Sequence, residues 1–246
     1  MDWLCGLSST QPASGGICAR LLTVVCTGWI GDSQMRDRVA AIIPAFNEEG
    51  NISNVLRVLR TVPEVDQVIV VNDGSWDHTS EVSRALGADV VELAENMGKG
   101  AAMKAGVERA DADVVLFLDA DLIGLTVDHV RSLLQPILDE EYEATVGIFE
   151  GGRPTTDWAQ ALAPFLSGQR ALRRGLMSDV GSNLDEARFG VELQIHRQLK
   201  RLGKVPKEVV LQDVSQVMKE EKLGLVKGLA ARMKMYWEII REIPRI

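Results

Sequence analysis

The sequence predicts an α/β fold with a mostly parallel sheet flanked by helices. Short apolar runs recur along the chain from Val39, and a segment of helical length separates each run from the next. The runs are continuously apolar rather than alternating, as in strands covered by helices on both faces. Parallel strands need long crossover connections, so this pattern favours βαβ units over hairpins.

Four strands are predicted in the first half of the chain, at residues 39–46, 67–72, 89–93 and 113–118. Helical segments lie between them at residues 51–62, 78–86 and 98–110. In open α/β sheets, ligands bind outside the carboxyl ends of the strands. The residues that directly follow each strand are therefore expected to form the functional site.

Polar or glycine-rich residues do follow all four predicted strands. They read PAFNEE (44–49), NDGS (72–75), ENMGKG (95–100) and DAD (119–121). One such loop would indicate only a turn. Four loops that converge on one edge of a sheet indicate a binding site.

The second half of the chain is expected to contain more helix. We predict a helix that Pro136 kinks or divides, helical structure broken at residues 166–168, a further helix ending at Gly203 and a long C-terminal helix. The predicted elements are helices at 126–141, 158–177, 189–203 and 224–243 and strands at 144–149 and 204–212.

The expected organisation is one domain with appendages at both ends. Residues 1–37 are expected to be a poorly ordered extension, or upstream sequence that precedes a start at Met35. Residues 38–225 form the domain, divided at residue 125 into a first and a second half. Residues 226–246 are the C-terminal helix.

The overall composition of the chain narrows the range of possible functions. The 246 residues carry a net charge of -8, which argues against nucleic-acid binding. All three cysteines lie in the first 26 residues without a zinc or disulfide pattern, and no apolar run approaches the length of a membrane span. A cytoplasmic protein is the simplest expectation.

Asp119 and Asp121 are the strongest candidates for chemistry. They flank Ala120 at the end of the fourth strand. Carboxylates in this arrangement hold Mg²⁺ or Mn²⁺ when substrate phosphates and water complete the metal's shell. The same residues could instead close a simple Asx turn. The three other polar loops favour the metal-and-phosphate interpretation.

The remaining loops offer groups for a nucleotide. Gly98 and Lys99 begin a predicted helix, where backbone N–H groups and a cation attract phosphate. The pattern GxxxxGK[ST] is absent, which disfavours a P-loop ATPase. Asp73 could accept from the N–H of a base, while Phe46 and Glu48 could contact base and ribose. Each loop alone is equally an ordinary turn.

Taken together, the four blocks resemble glycosyltransferase family 2, whose members have the GT-A fold. The blocks are IIPAFNEEGNI, VVNDGSWDHT, ENMGKGAAMKAG and FLDADL, and the resemblance is strong over residues 38–150 and looser over 151–225. It implies a metal-dependent transferase that uses a nucleotide-diphosphate sugar. A phosphatase that begins catalysis at Asp-x-Asp is disfavoured, because here the motif follows the fourth strand.

The resemblance also implies roles for single residues. Asp119 would approach ribose and metal, and Asp121 would be the direct ligand of Mg²⁺ or Mn²⁺. Asp73 would read the base and Lys99 would lie beside the nucleotide. The whole set expected at the nucleotide-sugar is Pro44, Ala45, Phe46, Glu48, Asp73, Gly98, Lys99, Asp119 and Ala120.

Within the family, the second half resembles glucosyl-3-phosphoglycerate synthases. Gly152, Arg153 and Thr155 match a loop that grips the acceptor's phosphate and carboxylate in those enzymes. Glu192 matches a residue that faces the donor sugar, as sugar ligand or general base. Those enzymes complete the metal shell with a histidine, for which Gln216 is the nearest candidate here.

Several alternatives stay open at the level of sequence. The acceptor is a small phosphorylated acid such as 3-phosphoglycerate, or a polyprenyl phosphate as in dolichol-phosphate mannosyltransferase-like enzymes. The second acceptor would require peripheral membrane contact, for which the C-terminal helix is the candidate. An inverting reaction would use Glu192 or Asp185 as base, and a retaining one would not. A homodimer and a non-catalytic nucleotide-sugar-binding protein are further alternatives.

Overall fold

A computed structural model describes residues 36–150, 167–177 and 191–216 of the chain. Nine strands occur in this part: β1 Val39–Ala45, β2 Gln67–Asn72, β3 Asp89–Glu92, β4 Val114–Phe117, β5 Leu122–Ile123, β6 Ala144–Glu150, β7 Arg170–Arg173, β8 Lys207–Gln212 and β9 Ser215–Gln216. The α-helices are α1 Ile52–Leu59, α2 Thr79–Ala85, α3 Lys99–Arg109, α4 Val127–Leu138 and α5 Val191–Arg201, and a 3-10 turn spans Arg174–Met177.

Seven of these strands form one mixed sheet in the order β3-β2-β1-β4-β7-β6-β8. The first four strands are mutually parallel, which confirms the βαβ prediction. β7 is antiparallel to both of its neighbours, and β6 pairs in parallel with β8. The expectation of a mostly parallel sheet is confirmed.

Two layers of apolar side chains cover the two faces of this sheet. Alternate residues of β1 point to opposite faces: Ile43 packs in one cluster with Leu56 of α1, and Ile42 packs in the other with Met103 of α3. The apolar spacing of α1 predicts its packing well, since Ile52, Val55, Leu56 and Leu59 are all buried. Burial on both faces explains why the strands read as continuous apolar runs.

Pro136 was predicted to kink or divide a helix, and the predicted division does not occur. α4 runs without interruption from Val127 to Leu138, with Pro136 in its last turn. Its missing N–H removes one backbone bond close to the helix end, so little of the helix depends on it. The carbonyl of Pro136 then accepts from the N–H groups of Glu141 and Tyr142, which closes the helix.

The prediction of helix through residues 158–177 was wrong for its described part. Arg170–Arg173 is the strand β7, and a 3-10 turn follows it. β7 is inserted between β4 and β6, so pairing on both edges overrides the local helical pattern. Residues 151–166 lie outside the described part of the chain.

A small ribbon of β5 and β9 lies beside the main sheet. Leu122 pairs with Gln216 and Ile123 with Ser215 in antiparallel register. Gly124 follows β5 with φ of +80°, and a Cβ there would lie 2.4 Å from the Asp213 carbonyl oxygen. The ribbon places Gln216 next to the segment that follows β4. No helix among the described residues is long and apolar enough to cross a membrane.

Candidate active site

The site lies where the order of strands reverses. From β1 the chain adds β2 and β3 on one side and then returns to place β4 on the other side of β1. This reversal leaves a crevice at the carboxyl ends of β1 and β4, the usual ligand position in such sheets. Asp119 and Asp121 follow β4 at this point, and Lys99 is the first residue of α3.

Lys99 joins two carboxylates that are far apart in sequence. Its Nζ lies 2.6 Å from Asp119 Oδ1 and 2.7 Å from Glu192 Oε1. Glu192 is in the first turn of α5, so three separate elements meet here. Burial alone would lower the pKa of Lys99, but the charges of the two carboxylates outweigh burial and hold the pKa above its ordinary value. The lysine therefore stays protonated.

The second oxygen of Asp119 accepts from two glutamine amides. Gln169 Nε2 donates to Oδ2 over 2.8 Å, and Gln216 Nε2 donates to the same oxygen. Burial would raise the pKa of this carboxyl, but the Lys99 charge and the two amides outweigh burial and lower the pKa. Asp119 is thus an ionised carboxylate with both oxygens held in place. Sequence reasoning had placed Gln216 near it but had missed Gln169.

Gly168 brings backbone directly against this cluster. A Cβ at this position would lie 2.5 Å from Asp119 Oδ2 and 2.7 Å from Lys99 Nζ. Any larger side chain would therefore have to displace the charged pair. The sequence signal was the LSG triplet at 166–168, which was interpreted only as a helix break.

Arg170 is a second cation next to the cluster of Lys99, Asp119 and Glu192. The residue is buried, with 4% of its surface exposed, and it donates to the carbonyl oxygens of Ser167 and Glu192. Burial lowers its pKa, against the opposing charges of Glu192 and Asp119. Arg170 thus ties β7 to the start of α5 and fixes the backbone of Glu192.

Asp121 lies two residues beyond Asp119, directly before β5, and is half-buried. The pairing of Leu122 with Gln216 holds the Asp-x-Asp turn beside β9. Ala120, between the two aspartates, is buried. Among the described residues, no three His, Cys, Asp or Glu side chains are grouped as a metal site. The turn therefore offers two carboxylates rather than a closed cage.

Asp73 holds the loop that precedes α3. Its Oδ1 accepts from the N–H of Met97 over 2.7 Å and its Oδ2 from the N–H of Gly98 over 2.9 Å. Gly98 has φ of +95°, a left-handed conformation that favours glycine. The carboxylate is nearly buried, with 4% of the residue exposed. Asp73 therefore positions the start of α3.

The last residues of β1 and those that follow it lie at the same edge of the sheet. Pro44 is half-buried and Ala45 buried at the end of the strand. Phe46 is half-buried and meets Trp76 edge-to-face, with ring centroids 5.1 Å apart. Glu48 accepts from Asn51 Nδ2 over 2.9 Å at the start of α1.

The structure thus brings the sequence-predicted residues of β1, β2, α3, β4, α5 and β9 to one edge. The predicted acceptor residues Gly152, Arg153 and Thr155 lie outside the described part of the chain, as do Asp185, residues 1–35 of the predicted extension and the predicted C-terminal helix. Gln169, Gly168 and Arg170 are the site residues that sequence reasoning missed.

A mixed sheet with its reversal at β1 and β4, and an Asp-x-Asp turn at that point, is the α/β architecture of the GT-A class. The sequence profile described as Glycosyl transferase family 2 matches residues 40–183, more than half of the chain. The chain belongs to glycosyltransferase family 2, which confirms the resemblance drawn from its motifs.

One curated relative is 4,4'-diaponeurosporenoate glycosyltransferase of Staphylococcus aureus strain USA300. It is 40% identical over 99 residues, which is 38% of this chain and 26% of the relative. The match therefore spans about a quarter of the relative's length.

Solved structures of glucosyl-3-phosphoglycerate synthase from Mycobacterium tuberculosis are similar over most of the chain. The complex with Mn²⁺ and UDP-glucose is 28% identical with a TM-score of 0.60, and the match covers 74% of this chain and 71% of that one. The complex with Mg²⁺ and UDP is 26% identical with a TM-score of 0.60, covering 80% and 79%.

Proposed function

We propose that the chain transfers a sugar from a UDP-glucose-like nucleotide-diphosphate sugar to a small phosphorylated acceptor such as 3-phosphoglycerate. The observation that carries this proposal is the Lys99 bridge between Asp119 and Glu192 at the reversal of the sheet. Such a bridge places a cation and two carboxylates where ligands bind in this architecture. The similarity to enzymes solved with UDP-glucose supports the same donor class.

The residues at the crevice fit a divalent metal that arrives with its substrate. Mg²⁺ commonly takes one or two carboxylates and completes its shell with water and phosphate oxygens. We assign Asp121 as the direct ligand, with Asp119 and the amide oxygen of Gln216 as its neighbours. A bound Mg²⁺ or Mn²⁺ would neutralise charge on the departing diphosphate.

Protein groups would hold the rest of the donor. Pro44, Ala45, Phe46 and Glu48 would line the pocket for base and ribose, Asp73 would accept from the base, and Ala120 would pack beside the ribose. The backbone at Gly98 and the ammonium of Lys99 would face the diphosphate. Glu192 would bind hydroxyls of the sugar, and in an inverting reaction it or Asp185 would take the acceptor's proton.

The acceptor is assigned by resemblance alone. Gly152, Arg153 and Thr155 would bind its phosphate and carboxylate, since an arginine fork pairs with such groups in two-point fashion. Other mycobacterial synthase structures contain phosphoglyceric acid together with UDP-glucose and Mn²⁺. The acceptor therefore requires a direct test.

The test is release of UDP from UDP-glucose with Mn²⁺, with and without 3-phosphoglycerate. We expect acceptor-dependent release that Asp121→Asn abolishes. The matched control is Asp111→Asn, because the Asp111 side chain is 83% exposed and pairs only with a surface arginine, Arg38, among the contacts that the structure describes. Release that 3-phosphoglycerate does not stimulate would remove this acceptor, and full activity in Asp121→Asn would remove the assigned metal ligand.

A lipid acceptor is the second candidate, since the curated relative's name, 4,4'-diaponeurosporenoate glycosyltransferase, gives an acceptor other than phosphoglycerate. A polyprenyl phosphate would be the corresponding acceptor with a phosphate group. Transfer of label from UDP-glucose or GDP-mannose into an organic-extractable product, in the absence of 3-phosphoglycerate, would identify this activity.

A further inference from the structure

Trp76 is a large apolar side chain that the fold leaves in solvent beside the crevice. It is 81% exposed, although a tryptophan that is covered by protein or ligand typically buries about 150 to 250 Å² of surface. The residue follows β2 in the NDGSW stretch, three positions after Asp73. The exposed side chain of Trp76 therefore lies at the edge of the sheet where ligands are expected to bind.

The backbone that carries Trp76 is held on both sides. Its own N–H donates to Asn47 Oδ1 over 3.1 Å, and Ser75 Oγ accepts from the N–H of Asn47 over 2.9 Å. On the other side, Asp77 Oδ2 accepts from the N–H of Glu49 over 3.1 Å. These bonds tie the loop after β2 to the loop after β1, so the tryptophan is exposed on a well-ordered support.

The ring orientation of Trp76 is also set. Its plane is nearly perpendicular to Phe46, with an interplanar angle of 89° and centroids 5.1 Å apart. An edge-to-face pair uses the edge of one ring against the face of the other and leaves a broad aromatic face open. Phe46 is among the residues proposed to line the base pocket, so the pair forms one aromatic corner near Asp73.

We infer that Trp76 is a nucleobase-binding residue, which provides a stacking face for the base of the donor beside Phe46 and Asp73. This inference rests on the proposed function. A planar base fits the observations because it offers a π-face to the exposed tryptophan ring, and its N–H edge would be directed toward Asp73, which the proposed function already assigns to the base. Stacking is tolerant of base identity, so Trp76 contributes affinity for the nucleoside part and Asp73 contributes selectivity.

The test measures binding of UDP and of inorganic pyrophosphate, both with Mn²⁺, to wild type, Trp76→Leu and Trp76→Phe. Loss of base stacking weakens binding by about 5- to 150-fold. We expect UDP to bind Trp76→Leu more weakly by this factor, Trp76→Phe to recover most of the affinity, and pyrophosphate to bind all three alike. Tyr142→Leu is the control, since it removes a partly exposed aromatic that contacts Lys207 at the opposite edge of the sheet.

Each of the other outcomes distinguishes the stacking role of Trp76 from the proposed function of the protein. Equal UDP binding by wild type and Trp76→Leu would overturn the stacking role and leave the proposed function standing. Equal losses for UDP and pyrophosphate would show that Trp76 only supports the loop, which also overturns it. Loss of binding to anionic lipid vesicles with UDP binding unchanged would assign the ring to a membrane instead. Failure of the wild type to bind any nucleoside diphosphate would overturn the proposed function as well.

Discussion

At the residue scale, Asp119 is the most constrained side chain of the site. Lys99 neutralises one carboxylate oxygen, and the amides of Gln169 and Gln216 donate to the other. A carboxylate held by three donors has little freedom to rotate toward a cation. This arrangement supports Asp121 as the direct ligand and Asp119 as the group that fixes Lys99 and the turn.

Gln169 contributes a hydrogen bond to Asp119, a charged and partly buried group, and hydrogen bonds to charged groups stabilise proteins by about 1.5–3 kcal/mol. We predict that Gln169→Leu lowers the free energy of unfolding by about that amount, measured by urea denaturation. The control is Gln135→Leu, because the exposed Gln135 makes a similar bond to Asp139 on the surface of α4. Surface substitutions usually change stability by less than about 0.5 kcal/mol. Equal effects of the two variants would contradict the role of Gln169.

Gly168 is predicted to be required for activity rather than for folding. In Gly168→Ala the new Cβ would collide with Asp119 Oδ2, which lies 2.5 Å away, and displace Lys99. A displacement of about 1 Å at an active site can lower the rate about 100-fold, and we expect a loss of this order in UDP release. Gly175→Ala is the control, since a Cβ there has no atom within 4 Å. Similar activity in both variants would contradict the close approach of Gly168 to Asp119.

At the scale of elements, the sequence predicted β1 to β4 and their crossovers but not β7. β1, β2 and β4 are largely buried and have a clear apolar signal, and β3 is a half-buried strand at the edge of the sheet. β7 contains Arg170 and Arg173, which give the segment a polar, helix-like spacing. The buried Arg170 is satisfied by the carbonyls of Ser167 and Glu192, contacts that only the folded chain provides. Gln169 was missed for the same reason.

α3 is predicted to depend on Gly106 for its close contact with the sheet. A Cβ at this position would lie 2.3 Å from Ile42 Cγ2 in β1. Overpacking costs about 1–3 kcal/mol, whereas alanine improves helix propensity by about 1 kcal/mol. We therefore expect Gly106→Ala to lower the free energy of unfolding by up to about 2 kcal/mol, with Gly50→Ala as an exposed control. A more stable Gly106→Ala protein would contradict this packing.

The loops after β1 and β2 are predicted to give an acid-sensitive contribution to stability. Burial would raise the pKa of Asp77, but hydrogen bonds from the Thr79 hydroxyl and from the N–H groups of Glu49 and Thr79 outweigh burial and lower the pKa below 3.8. The stabilisation is therefore present above the unfolded pKa near 3.8 and is lost as the pH falls through the folded value. Thermal unfolding should show a larger deficit of Asp77→Asn at pH 6 than at pH 3. A constant deficit would contradict the linkage.

At the scale of the whole molecule, the charge balance and the site are consistent. The protein carries a net charge of -8, so a phosphate ligand would have to be held by cations placed locally. In the described part of the chain, Lys99 and Arg170 are cations at the candidate site. The sequence could predict Lys99 from its motif, whereas the burial of Arg170 beside it follows from the insertion of β7 and could not be predicted.

The measurement that tests the central claim most directly is calorimetric titration of UDP-glucose into the protein with Mn²⁺ and with EDTA. We predict binding that depends on Mn²⁺ and that Asp121→Asn weakens more than tenfold, while Asp111→Asn binds as the wild type does. Binding of equal strength in EDTA, or an Asp121→Asn variant that responds to Mn²⁺ as fully as the wild type, would contradict a metal-dependent nucleotide-sugar site at this edge of the sheet.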